Sequence, residues 1–183
     1  MDKYILIRIA RDAIMEELTG LSLVNRAELL SAYPWLGEIG AVFVTLNKRG
    51  RLRGCIGSII AHRDLIDDVI VNAKAAAFND PRFEPLTIEE LEALEIEISL
   101  LTSPQSLSYR DYDDLRAKIR PGIDGVILKI GSYQATYLPS VWEQLPDFDQ
   151  FFGTLCQKAG LPFGCLAEHP EILTYQAEKI TEE

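Results

Sequence analysis

The chain contains few of the residues that build metal centres and disulfide frameworks. Its 183 residues include three cysteines, Cys55, Cys156 and Cys165, and two histidines, His62 and His169. The cysteines are odd in number, widely spaced and without a Cys-x-x-Cys unit, so we expect reduced thiols. The histidines follow neither His-x-x-x-His nor His-Glu-x-x-His spacing, so we expect neither a metal site nor a bound cofactor.

Long apolar runs and an excess of positive charge are also missing. No apolar stretch approaches the roughly 20 residues that span a bilayer, and residues 1–8 lack the features of a signal peptide. We therefore expect a cytoplasmic protein that does not enter a membrane. The net charge is −10, and negative charge repels a phosphate backbone. Nucleic acid is thus disfavoured as a partner unless a local basic patch, here Arg49, Arg51 and Arg53, binds it.

The hydrophobic content, 48% of the chain, is enough to bury a core, so residues 1–183 are predicted to form a single domain with room for two subdomains. Helical and strand periods follow each other along the chain. They predict helices over 2–18, 24–32, 64–79, 112–119, 140–145 and 148–159, and strands over 41–46, 52–56, 94–100, 126–130, 133–138 and 172–177. Asp68 and Asn72 are predicted to lie on the water-facing side of their helix. The predicted strands are separated by helices at irregular intervals, and some of them form hairpins. This arrangement favours a mainly antiparallel α+β fold, with a doubly wound parallel sheet as the alternative.

The most informative segment is Leu-Arg-Gly-Cys-Ile-Gly-Ser at 52–58, in the second strand of a predicted hairpin. Since strand side chains alternate, Arg53 and Cys55 should share one face, and Leu52 and Ile56 the other. The flanking glycines, Gly54 and Gly57, would leave backbone open to a ligand, and N–H groups near Gly57 and Ser58 could hold an anion.

Cys55 has two interpretations. It could be a nucleophile, because a neighbouring Arg53 favours the thiolate and the glycines leave the sulfur accessible. His62 or Asp80 would then move protons. The alternative, which we prefer, is that Cys55 is a buried residue and that Gly54 and Gly57 allow the strand to pack closely on a helix.

A second segment, Asp-Pro-Arg-Phe-Glu-Pro at 80–85, follows the helix that ends near residue 79. Its two prolines stiffen a loop that has charges of both signs. Arg82 could bind an anionic ligand, or Asp80 could cap the helix and Arg82 pair with a carboxylate of the chain itself.

Together, Leu-Arg-Gly-Cys-Ile-Gly at 52–57 and Phe-Asn-Asp-Pro-Arg-Phe at 78–83 resemble the AMMECR domain family. Further segments at 40–46, 95–102 and 155–162 are similar to the family in the same order. The resemblance implies an α+β domain with two unequal subdomains around a cleft near the first motif, and residence in the cytoplasm. It also implies association with a Memo-type protein and a radical S-adenosylmethionine enzyme. Gln134 and Leu166 depart from the family pattern, which often has a basic residue and a tryptophan there.

These observations leave three hypotheses. The first is a binding component whose cleft holds a small anionic ligand or a partner's loop, with Arg53, Gly54, Cys55, Gly57 and Ser58 as its floor and Asp80 and Arg82 at its edge. The second is an enzyme that uses Cys55 as nucleophile with His62 as base. The third is a nucleic-acid modifier or regulator that binds through the arginines of the hairpin.

Overall fold

The computed structural model describes residues 2–182 as helices and two main sheets. The α-helices are α1 (Ile5–Thr19), α2 (Arg26–Ala32), α3 (Leu65–Phe78), α4 (Tyr112–Lys118), α5 (Val141–Gln144) and α6 (Phe148–Lys158). Three 3-10 helices cover Pro34–Gly37, Ile88–Ala93 and Cys165–Glu168. The strands are β1 (Ile39–Gly40), β2 (Val42–Lys48), β3 (Arg51–Gly57), β4 (Arg63–Asp64), β5 (Leu94–Leu101), β6 (Gln105–Ser106), β7 (Gly125–Ile130), β8 (Tyr133–Tyr137), β9 (Glu171–Tyr175) and β10 (Ala177–Thr181).

The residues fall into two compact units, and the first contains the chain up to Leu101 together with the segment from Glu178 onward. Its main sheet has the strand order β10-β5-β2-β3, in which β2 pairs antiparallel with both β5 and β3. One face of this sheet is apolar because every second residue of β2 and β5 is buried: Val42, Val44, Leu46, Leu94, Ile96 and Ile98. Helices α1 and α3 pack on each other and supply the opposing apolar side chains.

A two-residue turn joins β2 to β3. Arg49 and Gly50 both adopt positive φ, 52° and 74°, which is the geometry of a type I′ turn and suits the twist of a hairpin. The pairing register shifts by one residue between Leu46 and Asn47. On one side of that bulge Leu52 lies opposite Asn47, and on the other Cys55 lies opposite Thr45 and Ile56 opposite Val44. Because Asn47 and Val44 are on opposite faces of β2, Leu52 and Ile56 do not share a face, and that prediction is wrong. The motif segment lies on the edge strand of the sheet.

The second unit comprises Thr102–Ala177. Its sheet has the order β6-β9-β7-β8, and β7 pairs antiparallel with β8 and β9. Helices α4 and α6 bury Leu115, Phe151 and Phe152 completely. Phe151 also stacks on Trp142 of α5, with 3.6 Å between ring centroids. An aromatic cluster is therefore the core of this unit.

The predicted α+β class with antiparallel pairing is confirmed, and the doubly wound alternative is not found. Every predicted helix and strand is present to within a few residues at its ends. A strand after residue 176 was not predicted: β10 joins the first sheet beside β5. No helix among residues 2–182 has both the length and the apolar character needed to cross a bilayer.

Two further expectations about side chains are wrong. Cys156 and Cys165 are not reduced thiols but form a disulfide. Helix α6 ends soon after Cys156, and the chain reverses at Gly160, whose φ is +85°, so the two Cα atoms come within 5.9 Å, a distance that a disulfide bridges. Asp68 and Asn72 do not face water either, since they are 0% and 4% exposed.

Candidate functional site

The fold brings the two sequence motifs into direct contact within the first unit. As an edge strand, β3 presents backbone groups that no neighbouring strand can satisfy. The buried carboxylate of Asp80 accepts one of them, the Cys55 N–H, at 3.0 Å. Arg53 makes a second link by donating from Nη2 to the Glu84 carbonyl oxygen at 2.8 Å. The loop after α3 is thereby fixed along the open edge of the sheet.

The glycines of the first motif allow close packing. A Cβ atom at Gly54 would lie 2.1 Å from the backbone oxygen of Ala76 in α3, so the strand and the helix approach each other only because that atom is missing. A Cβ atom at Gly57 would lie 2.3 Å from the ring of Phe43 on the neighbouring strand. Each glycine thus leaves room for a neighbouring part of the first unit itself.

Cys55 lies on the face of the sheet opposite α3, partly buried and unbonded to another cysteine. Its sulfur is 3.3 Å from the hydroxyl oxygen of Thr45 across the hairpin. Burial raises the pKa of the thiol, and the opposing effects of the Thr45 hydrogen bond and the Arg82 charge are smaller. The expected lowering of this pKa by Arg53 is therefore wrong, and the geometry stabilises the protonated thiol.

Arg53 does not act on Cys55 because its guanidinium is paired elsewhere. It donates from Nε and Nη2 to the two oxygens of Glu90, each at 3.1 Å, and Lys48 donates to the same carboxylate at 2.8 Å. These hydrogen bonds, that of Arg53 first, lower the pKa of Glu90 to about 2. The Nη1 atom of Arg53 is buried without a hydrogen-bond partner among the described residues, and its Cζ lies 5.8 Å from the centre of the Phe83 ring.

Asp80 and Arg82 form a second bidentate pair. Arg82 donates from Nε at 3.0 Å and from Nη2 at 2.7 Å to the Asp80 oxygens. These bonds, with that from Cys55 N–H, hold the pKa of Asp80 far below its usual range despite its burial. Arg82 therefore pairs with a carboxylate of the chain itself, which is one of the two roles that the sequence suggested for it. The structure also leaves 54% of the Arg82 side chain exposed, so this cation is fixed on one side and open on the other.

His62 is not placed as a base for Cys55. Its ring nitrogens contact the Ile60 carbonyl oxygen and the guanidinium of Arg63, each at 3.0 Å. In the described part of the chain no hydrogen bond joins His62 to the thiol. Its proposed catalytic role therefore has no support from this geometry.

Ser58 belongs to a buried polar network that the sequence analysis missed. Its N–H donates to the Val42 carbonyl oxygen at 3.0 Å, and its hydroxyl donates to Asp68 at 2.6 Å. Asn72 donates to the Ser58 oxygen at 3.1 Å, and Arg63 lies 3.3 Å from Asp68. Since the donors of Ser58 are occupied and a carboxylate is adjacent, an anion is disfavoured at this end of the motif.

A helical-spacing signal for this network was present in the sequence. Asp68 and Asn72 are four residues apart, on the same stripe as Leu65, Val69 and Ala73, and a polar pair on an apolar stripe indicates a buried polar contact. Glu90 offered no such signal, because its partner Arg53 is 37 residues away. Within residues 2–182 no group of three or more metal-ligating side chains is assembled.

With the geometry known, comparison with other proteins decides the family. The family model for AMMECR1 matches residues 7–180. This chain belongs to the AMMECR1 family. A relative from Methanothermobacter thermautotrophicus is 39% identical over 172 residues, covering 93% of this chain and 88% of its own. Another from Thermococcus gammatolerans is 36% identical and covers 97% of this chain and 89% of its own.

The crystal structure of the uncharacterized protein PH0010 from Pyrococcus horikoshii is similar in fold. It superposes with a TM-score of 0.88 at 37% identity, covering 98% of this AMMECR1-family chain and 90% of PH0010. Similarity over nearly the whole length assigns the family and the fold. It assigns no reaction, since similarity in sequence and fold does not by itself specify one.

Proposed function

We propose that this AMMECR1-family protein is a cytoplasmic binding component, and that a small anionic ligand binds in a cleft near residues 52–57. The ligand surface is formed by β3 and the loop from Asp80 to Phe83. The observation that supports it is the state of Arg82, whose guanidinium is held by two hydrogen bonds to Asp80 while 54% of its side chain is exposed. A positioned guanidinium is suited to donate to a carboxylate or a phosphate.

Binding is favoured over catalysis by the chemistry around Cys55. A cysteine nucleophile requires a thiolate, and burial raises the pKa of this thiol. It also requires a base, and the hydrogen bonds of His62 go to Ile60 and Arg63. Nucleic-acid binding is disfavoured by the charges of the hairpin. Glu90 forms an ion pair with Arg53, one of the three arginines that would contact a phosphate backbone.

Inorganic phosphate is a suitable probe for this surface, with Cys55 as a built-in reporter. Arg82 Nη2 lies 3.5 Å from the Cys55 carbonyl oxygen, so an anion on Arg82 should shield the adjacent thiol. We expect phosphate to slow alkylation of Cys55 in a saturable way, as followed by peptide mass, while sodium chloride at equal ionic strength does not. Equal rates with both salts would contradict the proposal.

A pair of charge-matched variants then locates the effect. Arg82→Gln removes the proposed contact, and Arg110→Gln removes one positive charge from an arginine of the second unit whose side chain is 86% exposed. Phosphate protection should be lost in Arg82→Gln and kept in Arg110→Gln, with circular dichroism confirming that both are folded. Protection that survives Arg82→Gln would place the anion elsewhere and reject this surface.

The Memo-type protein and the radical S-adenosylmethionine enzyme are proposed partners, supported by the family resemblance. Size-exclusion chromatography of this chain mixed with each purified partner from the same genome tests that association. Co-elution is expected with at least one of them. Separate elution of all three proteins would reject the association and leave the small anionic ligand as the remaining proposal.

A further inference from the structure

The second unit contains a pocket of about 660 Å³ that the motifs do not touch. This volume is within the range of about 300–1,000 Å³ typical of small-molecule sites. All its lining residues lie within Thr102–Ala177: they come from the start of α4, from α6 and from the segment around the 3-10 helix Cys165–Glu168. The pocket is thus a feature of one unit alone.

Four ring side chains line this pocket: Tyr109, Tyr112, Phe163 and His169. Tyr109 and His169 are stacked, with 4.2 Å between centroids and 23° between planes. Phe163 is 43% exposed, yet its ring is held against α6 at Gly153, where a Cβ atom would lie 2.1 Å from it. Rings positioned in this way are suited to stack on a flat ligand.

The aliphatic side chains of the lining are Leu115, Leu166 and Ala167. Leu115 is completely buried, and Leu166 is partly buried and packs against the core of the unit. The disulfide between Cys156 and Cys165 ties the segment that contains Phe163 and Leu166 to α6. The ring of Phe163 and the backbone of this segment are therefore both held in place.

The charged residues of the lining are two aspartates and one arginine. Asp149 accepts the hydroxyl hydrogen of Tyr112, which raises the pKa of that phenol. Asp111 accepts the Asp114 N–H at 2.9 Å through one oxygen. The arginine, Arg110, is 86% exposed and lies 3.6 Å from an Asp114 oxygen that Lys118 also contacts at 3.1 Å. Two carboxylates and one guanidinium leave the lining with more negative than positive charge.

We infer that this pocket binds a small aromatic molecule with a protonated amine, the ring stacking on the aromatic wall and the amine facing Asp149 and Asp111. An anionic ligand of the same shape is disfavoured by the two carboxylates. The proposal concerns a cationic ligand in the second unit and is independent of the anion surface around Arg82.

Two probes with the same ring and opposite charge test the inference: tryptamine and indole-3-propionate. The readout is the NMR signal of the His169 ring Hε1 proton, because the chain has only two histidines, and His62 in the first unit is an internal control. Tryptamine should shift the His169 signal in a saturable way and leave His62 unchanged. Indole-3-propionate should bind more weakly, by about tenfold if each aspartate contributes as an exposed ion pair does.

Two variants separate shape from charge. Leu166→Trp adds bulk to the wall and should abolish the tryptamine-dependent shift. Asp149→Asn should weaken tryptamine about two- to fivefold and strengthen indole-3-propionate. Asp113→Asn makes the same charge change at a neighbouring exposed residue outside the lining and should affect both probes far less.

Three results would overturn the inference: no shift of His169 with tryptamine, equal or tighter binding of the propionate, or unchanged tryptamine binding in Leu166→Trp. The comparison of the two probes uses the unaltered protein, so it decides the matter even if a variant fails to fold. If phosphate failed to protect Cys55 in the unaltered protein, the anion surface around Arg82 would be rejected, and the result with tryptamine would be unaffected.

Discussion

Gly54→Ala tests whether the first motif is constrained by packing. The added methyl carbon would lie 2.1 Å from the Ala76 oxygen, and 3.1 Å from its carbonyl carbon. Both atoms belong to the backbone of α3, so no side-chain rotation relieves the clash. The strand and the helix must separate by about 1 Å, a gap that forfeits a quarter to a half of the dispersion energy of each contact it opens.

The contacts at risk are those of α3 with the hairpin. Ala73, Ala76, Ala77 and Val44 belong to the core of the first unit, and Ile56 packs against it. Overpacking of a core typically costs about 1–3 kcal/mol, and because backbone must move here we expect about 3 kcal/mol.

Urea unfolding followed by circular dichroism measures this loss. The control is Gly164→Ala, since Gly164 has a φ of −86° and no atom within 4 Å of an added Cβ. We expect it to change the free energy of unfolding by less than about 0.5 kcal/mol. A Gly54→Ala protein as stable as the control would refute the packing argument. The glycine would then have to be explained by the approach of a ligand.

Three further predictions follow from the geometry. Cys55 should react with iodoacetamide more slowly than free cysteine at neutral pH, because burial raises its thiol pKa; a faster reaction would revive the nucleophile hypothesis. Glu90→Gln should cost about 2–3 kcal/mol at neutral pH by leaving Arg53 unpaired. Folding lowers the Glu90 pKa from 4.5 to about 2, so the ion pair contributes its full stabilisation above pH 4.5 and loses it as the pH falls toward 2. The unfolding free energy of the variant should therefore change less than that of the wild type between pH 4.5 and 2. If the two unfolding free energies fell in parallel with pH, the pairing would be contradicted. Cys165→Ser removes a disulfide that joins residues with a sequence separation of 9 and should lower the free energy of unfolding by about 2–3 kcal/mol. In the presence of a reductant, the variant and the wild type should be equally stable. A difference in stability that persists in the reductant would show that the disulfide is not its cause.

The main elements of the fold were predictable from local patterns. The alternation in 94–100 predicts β5 because a sheet with one buried face requires a period of two, and Leu94, Ile96 and Ile98 are indeed buried. The strand β10 was missed because Ala177–Thr181 has only one buried apolar residue, Ile180. Its pairing with β5 brings together segments more than 70 residues apart, and no local pattern records such a contact.

For the candidate site, the sequence by itself indicated the two motifs and determined the family. Only the tertiary structure decided their partners: Glu90 rather than Cys55 faces Arg53, Asp80 fixes Arg82, and Asp68 is buried beside Ser58. The physical reason is that a pKa or an ion pair depends on distances of a few ångströms between distant segments. Periodicity specifies only which face of an element a side chain is on.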